Sequence, residues 1–154
     1  GGMQIPMWEK LKETVMYLKS KGQRVDGIGW QGHLMNNQGL KQFVENLDEE
    51  LKKLSDLIDW AHSNKLEFHI TELDYYNDGE NNIYNSVKKQ AEVYQKLMNL
   101  LQEKSKNGLV TVNFWSMGER ISSRGKKGHY MSIYNNDTIP TKTYEVVKKF
   151  INFK

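Results

Sequence analysis

The sequence predicts an α/β protein built on a parallel sheet. Two observations carry this. Amphipathic helical stretches alternate with short apolar, β-prone stretches along the whole chain. Such alternation implies parallel strands joined by right-handed helical crossovers. Each strand-like stretch also ends in polar or aromatic residues rather than fading into a loop. The predicted order is helix, strand, helix, strand, helix, strand, long loop, helix. That makes about half of an eightfold barrel, which typically needs about 250 residues.

The elements follow in order. Gln4 to Gly22 is predicted helical, with Pro6 suited to a first helical position and Trp8, Leu11, Val15 and Leu18 at helical spacing. Gly22 is the expected C-terminal cap. Val25 to Trp30 is a short strand, and Gly27, Gly29 and Gly32 permit close backbone approach or a turn. Gln31 and His33 continue it with matching parity. Asn36 to Gly39 is a loop. Leu40 to His62 is a long amphipathic helix through Phe43, Leu47, Leu51, Leu54, Ile58 and Ala61. Glu67 to Leu73 is the second strand, followed by a polar turn at Asp78 to Asn82. Ile83 to Lys104 is helical through Val87, Ala91, Tyr94, Met98 and Leu101. Leu109 to Trp115 is the third strand and Ser116 to His129 a polar loop. Met131 to Tyr134 is a short extended piece. Thr141 to Phe153 is the last helix.

Composition narrows the function classes. A chain of 154 residues has room for one domain with a real core, so residues 1–154 are read as a single domain. The net charge is only +3, and lysines are scattered among acids on helical faces. This is a solvated surface rather than a nucleic-acid footprint. Only Lys126-Lys127 and Lys148-Lys149 form local pairs. Absence of cysteine excludes disulfides and thiolate metal sites. No apolar run is long enough to span a membrane, and no signal peptide is visible. No His, Asp and Glu set has a recognised ligand spacing, so no metal site is expected.

The strand ends supply the candidate chemistry. They offer Gln31 and His33, then Glu72 and Asp74, then Trp115. On adjacent parallel strands these ends lie side by side, at the edge where barrel enzymes place their chemistry. By strand parity Glu72 is expected on the face of Phe68 and Ile70, with that face lining the barrel. His69, of opposite parity, is expected to face the helices. A carboxylate beside an imidazole, an amide and an indole suits a carbohydrate cleft, and such a Glu can act as a glycosidase nucleophile. Each residue also has a plainer reading: a capping acid, a core histidine, a core tryptophan. Their joint placement favours the site. His62 and His129 have no convincing partners.

Three segments carry a family resemblance. Asp26-Gly27-Ile28-Gly29-Trp30-Gln31-Gly32-His33-Leu34 resembles the sixth-strand motif of family-10 glycoside hydrolases, the endo-β-1,4-xylanases. Ile70-Thr71-Glu72-Leu73-Asp74 resembles the nucleophile motif on their seventh strand, and Val112-Asn113-Phe114-Trp115 resembles their eighth. The resemblance implies strands six to eight of a (β/α)8 barrel, present as a partial barrel, in a retaining, extracellular xylan-degrading enzyme without a cofactor. Residue by residue it implies that Glu72 is the nucleophile, that His33 orients it and that Asp74 tunes the pair. Gln31 and Trp115 would contact the sugar. The sequence departs from the family pattern after Trp115. Glu119 falls where Asp is expected and Ser123 where a second cleft tryptophan would be. Thr141-Lys142-Thr143-Tyr144 replaces a Lys-Pro-Ala-Tyr-like closing motif.

The family's acid/base glutamate comes from a fourth strand with no counterpart here, and Glu80 and Glu119 are poorly placed to replace it. Expected partners are therefore xylan or xylo-oligosaccharides, and a complementary N-terminal half or a second copy of the chain. A non-catalytic xylan-binding remnant and an assembly or folding fragment are the alternatives.

Overall fold

One long strand organises the molecule. The computed structural model describes residues 5–35, 43–77, 87–115, 120–121, 129–131, 133–134 and 139–151. The helices are α1 (Ile5–Ser20), α2 (Leu47–Ser63), α3 (Val87–Lys104) and α4 (Lys142–Lys148). The strands are β1 (Gly27–Trp30), β2 (His33–Met35), β3 (Glu67–Asn77), β4 (Val110–Phe114), β5 (Arg120–Ile121) and β6 (His129–Met131). The lower half of β3 is flanked by β1 and β4, both parallel to it. Its upper half is flanked by β2, parallel, and by β6, antiparallel, which in turn pairs with β5. The parallel βα units form part of an α/β barrel.

Several boundaries differ from the sequence expectation. The central strand does not stop at Leu73 but runs to Asn77, because two further strands pair with its end. The stretch from Ser116 to His129, expected as a loop, contains the short strand β5 and the start of β6. The second helix starts at Leu47, with Phe43 to Glu45 forming a separate helical turn. Its first turn carries Asp48, Glu49 and Glu50, which suit the positive end of the helix dipole. The last helix is shorter than expected, Lys142–Lys148. The expected loop at Asn36 to Gly39, the turn at Asp78 to Asn82, the Ile83 helix start, Lys126-Lys127 and Phe153 lie outside the described residues.

Left-handed residues close two helix ends, at Gly22 as the sequence suggested and at Lys65, which it did not. Gly22 has φ 73°, and Gln23 N–H donates to Leu18 O at 3.0 Å, which closes α1. Lys65 takes the same left-handed conformation after α2, with Leu66 N–H on Ala61 O at 2.9 Å.

The core lies between the sheet and its helices. Ile28, Trp30, Phe68, Ile70 and Leu73 are buried with Trp8 and Val15 of α1, Leu54, Leu57, Ile58 and Ala61 of α2, and Val93, Tyr94 and Leu97 of α3. Trp8 meets Trp30 edge-on, with ring centroids 6.2 Å apart. Tyr94 stacks on Phe114 at the same centroid distance. A buried hydrogen bond from Thr143 Oγ1 to Gln90 Oε1, 2.8 Å long, ties α4 to α3.

The orientation of the central strand corrects the parity argument. Along β4, Val110, Val112 and Phe114 share one face, and their partners on β3 are Phe68, Ile70 and Leu73. The step from Ile70 to Leu73 is three residues against two on β4, which is a β-bulge. Ile70 and Leu73 therefore point the same way, toward the helices, and both lie beside Gly32. One extra residue reverses every later side chain. Glu72 thus lies opposite to Phe68 and Ile70, and the face shared by those two is the helix face. His69 lies on the other face, not toward the helices: its Nε2 is 3.0 Å from the position a Cβ on Gly27 would take. Its Nδ1 meets Thr111 Oγ1 at 2.8 Å, and its Nε2 meets Glu67 Oε2 at 3.2 Å.

Candidate active site

The bulge delivers Glu72 to the C-terminal mouth of the parallel strands. There the turn between β1 and β2 meets it from one side. Gln31 Nε2 donates to Glu72 Oε1 at 3.0 Å. His33 Nε2 lies 2.9 Å from Glu72 Oε2, and His33 Nδ1 lies 3.0 Å from Asp74 Oδ1. Both Glu72 oxygens are therefore engaged and the carboxylate plane is fixed. The turn is held by backbone as well, because Asp74 N–H donates to Gly32 O at 3.3 Å.

The third strand end completes the group. Trp115 N–H donates to Leu73 O at 3.0 Å, which anchors the residue just past β4. Its indole meets the His33 ring edge-on, with centroids 6.0 Å apart and planes at 87°. Trp115 is 51% exposed, so an aromatic surface stands open beside the carboxylate. Glu72, His33 and Trp115 line the mouth, whereas Asp74 is buried behind them at 4% exposure.

Charge in this group is shared. A neutral imidazole donates one hydrogen bond, so His33 satisfies two ionised carboxylates only as an imidazolium. Burial pushes the Asp74 carboxyl above the usual carboxylate range, and the hydrogen bond from His33 opposes that shift. Asp74 Oδ2 is buried without a hydrogen-bond partner among the described residues. Burial also raises the Tyr75 and Tyr94 phenols, and the Asp74 charge adds to the effect on Tyr94. Tyrosinate chemistry is thereby disfavoured around the site.

All five residues singled out by sequence, Gln31, His33, Glu72, Asp74 and Trp115, come together. Glu80, Glu119, Ser123 and the His129 side chain lie outside the described residues. The His62 ring nitrogens are buried without hydrogen-bond partners among the described residues, and the ring packs against Gly108, away from the mouth. No group of His, Asp and Glu among the described residues could hold a metal ion.

Most of the chain can be placed in a family. The model for Glycosyl hydrolase family 10 matches residues 6–150. The chain belongs to this family. Endo-1,4-beta-xylanase A of Thermoanaerobacterium saccharolyticum is 30% identical over 115 residues, 74% of this chain and 9% of that protein. Beta-1,4-xylanase of Dictyoglomus thermophilum is 27% identical, covering 92% of this chain and 41% of that one. Among solved structures, xylanase 10B from Thermotoga petrophila RKU-1 in complex with xylobiose superposes with a TM-score of 0.63. It is 24% identical, covering 91% of this chain and 40% of its own. This family-10 chain therefore spans about two fifths of that structure's length and a smaller share of the first relative. The partial barrel follows from that coverage.

Proposed function

We propose that this chain carries the nucleophile half of a retaining endo-β-1,4-xylanase site. The observation that carries the reading is the fixed Glu72 carboxylate, held by Gln31 and His33 beside the open face of Trp115. Glu72 attacks the anomeric carbon and forms a glycosyl ester as the bond to the leaving oxygen breaks. His33 keeps the attacking oxygen in place, and Asp74 holds the imidazole from behind. Gln31 fixes the second carboxylate oxygen and stands within reach of the sugar. Trp115 stacks on a xylose ring.

A retaining reaction needs a second carboxyl about 5–5.5 Å away to protonate the leaving oxygen and then activate water. In this reading the complementary barrel strands supply it, and xylan lies in the cleft between the two parts. Residues 1–154 act as one unit in that assembly. Secretion belongs to the same proposal, since xylan is a polymer outside the cell. Among the described residues no helix is long and apolar enough to cross a membrane.

An aryl β-xylobioside with a very good leaving group tests the proposal, because its phenolate departs without protonation. Mixed with the chain alone, it should release a burst of phenol that Glu72→Ala abolishes. Equal release from both proteins would refute Glu72 as nucleophile. Heat of binding to xylo-oligosaccharides without any burst from either protein would favour a non-catalytic xylan-binding role.

A further inference from the structure

We infer that Thr71, seated on Gly29, is the positioning residue for Glu72. The inference rests on the assignment of Glu72 above for its catalytic meaning, but its geometry stands independently. Glu72 reaches the mouth only because β3 bulges between Ile70 and Leu73. A bulge leaves its extra residue without a cross-strand partner, so something must hold it. Thr71 does so through two contacts with β1. Its Cγ2 lies 2.9 Å from the position a Cβ on Gly29 would occupy, closer than real Cβ contacts come. Its Oγ1 donates to Trp30 O at 3.3 Å.

The glycine therefore has a purpose other than turning the chain. Gly29 is a seat without which the Thr71 methyl has no space. The same two strands carry Gln31 and Glu72 immediately beyond these contacts, and those side chains are hydrogen-bonded at 3.0 Å. A shift of Thr71 along β3 moves Glu72 against both Gln31 and His33. Displacement of about 1 Å at a reacting group costs about 100-fold in rate.

A double-mutant cycle on the full chain tests this. Gly29→Ala puts a Cβ into the Thr71 methyl. Thr71→Ser removes that methyl and keeps the hydroxyl. The readout is the set of ring-nitrogen NMR shifts of His33, because that ring touches Glu72 directly. Gly29→Ala should alter the His33 ring shifts and reduce the phenol burst about 100-fold. Adding Thr71→Ser should return both readouts to those of Thr71→Ser alone.

An unchanged His33 signature in Gly29→Ala would overturn the inference. So would a double variant that keeps the whole defect. If Gly29→Ala fails to fold, a folded double variant with the Thr71→Ser signature supports the seat, and an unfolded one overturns it. If the His33 cycle holds while Glu72→Ala leaves the burst intact, the positioning stands and the nucleophile assignment falls.

Discussion

His33 Nε2 lies 2.9 Å from Glu72 Oε2, although the two residues are 39 positions apart in sequence. The contact joins two strands of the sheet at the C-terminal mouth. Its other ring nitrogen reaches Asp74, two residues beyond Glu72 on the same face of β3. One imidazole thus links a carboxyl at the mouth to a carboxyl in the interior. The Glu72 charge adds to the upward push that burial gives the Asp74 carboxyl.

Asp74→Asn separates stability from function by pH. Burial raises the native Asp74 carboxyl above its ordinary value, against the His33 hydrogen bond. The native state then binds that proton more tightly than the unfolded state. Its contribution to stability is complete below the unfolded carboxyl pKa and is lost as pH rises through the raised native value. Urea midpoints of Asp74→Asn relative to the unaltered chain should therefore improve as pH rises from below the ordinary carboxylate range of about 4 to above it. Parallel midpoints across that range would show that the interior carboxyl has no linkage to folding.

Much of this arrangement is legible in the sequence, and the part that is not has a definite cause. The helices are readable because Leu54, Ile58 and Ala61, or Tyr94 and Leu97, recur on one buried face. The five mouth residues are readable because they stand at strand ends in a known motif order. The face of Glu72 is not readable. A bulge adds one residue without altering the composition of the strand, and period-2 reasoning then assigns Phe68, Ile70 and His69 to the wrong sides. A signal was nevertheless present: glycines at positions 27 and 29 in a strand mark places where neighbouring side chains lie across the backbone. The strand extension to Asn77 was hidden for a different reason, since its partners β5 and β6 are too short to show periodicity.

Under the proposed function, Trp115 is exposed enough for its substitution to report on sugar rather than on folding. Trp115→Ala should change stability by no more than about 0.5 kcal/mol. Its affinity for xylo-oligosaccharides should fall about tenfold, the scale of one lost aromatic stacking contact. Calorimetric titration and a urea melt check the two halves. Unchanged affinity would remove the indole from the sugar-binding surface.

Gly108→Ala should destabilise through His62. A Cβ there would lie 2.5 Å from His62 Cδ2, so the ring or the loop after α3 has to move. Overpacking of this kind costs about 1–3 kcal/mol. His62→Ala on the same chain should recover most of the loss, because the space occupied by the ring becomes available. Additive losses in the double variant would place the strain in the Gly108 backbone instead.

Trp8→Ala connects a helix far from the mouth to the geometry within it. Trp8 is buried on α1 and packs edge-on against Trp30, the last residue of β1. Truncating a buried tryptophan costs about 3–5 kcal/mol, most of it from the cavity left behind. The cavity would open against Trp30, directly before Gln31 and three residues before His33. A variant that still folds should therefore show altered His33 ring-nitrogen shifts as well as lower stability. Trp8→Phe retains an aromatic edge for Trp30, so its His33 spectrum should stay close to that of the unaltered chain while its stability falls by a smaller amount. A Trp8→Ala protein with an unperturbed His33 spectrum would show that β1 holds its end without help from α1.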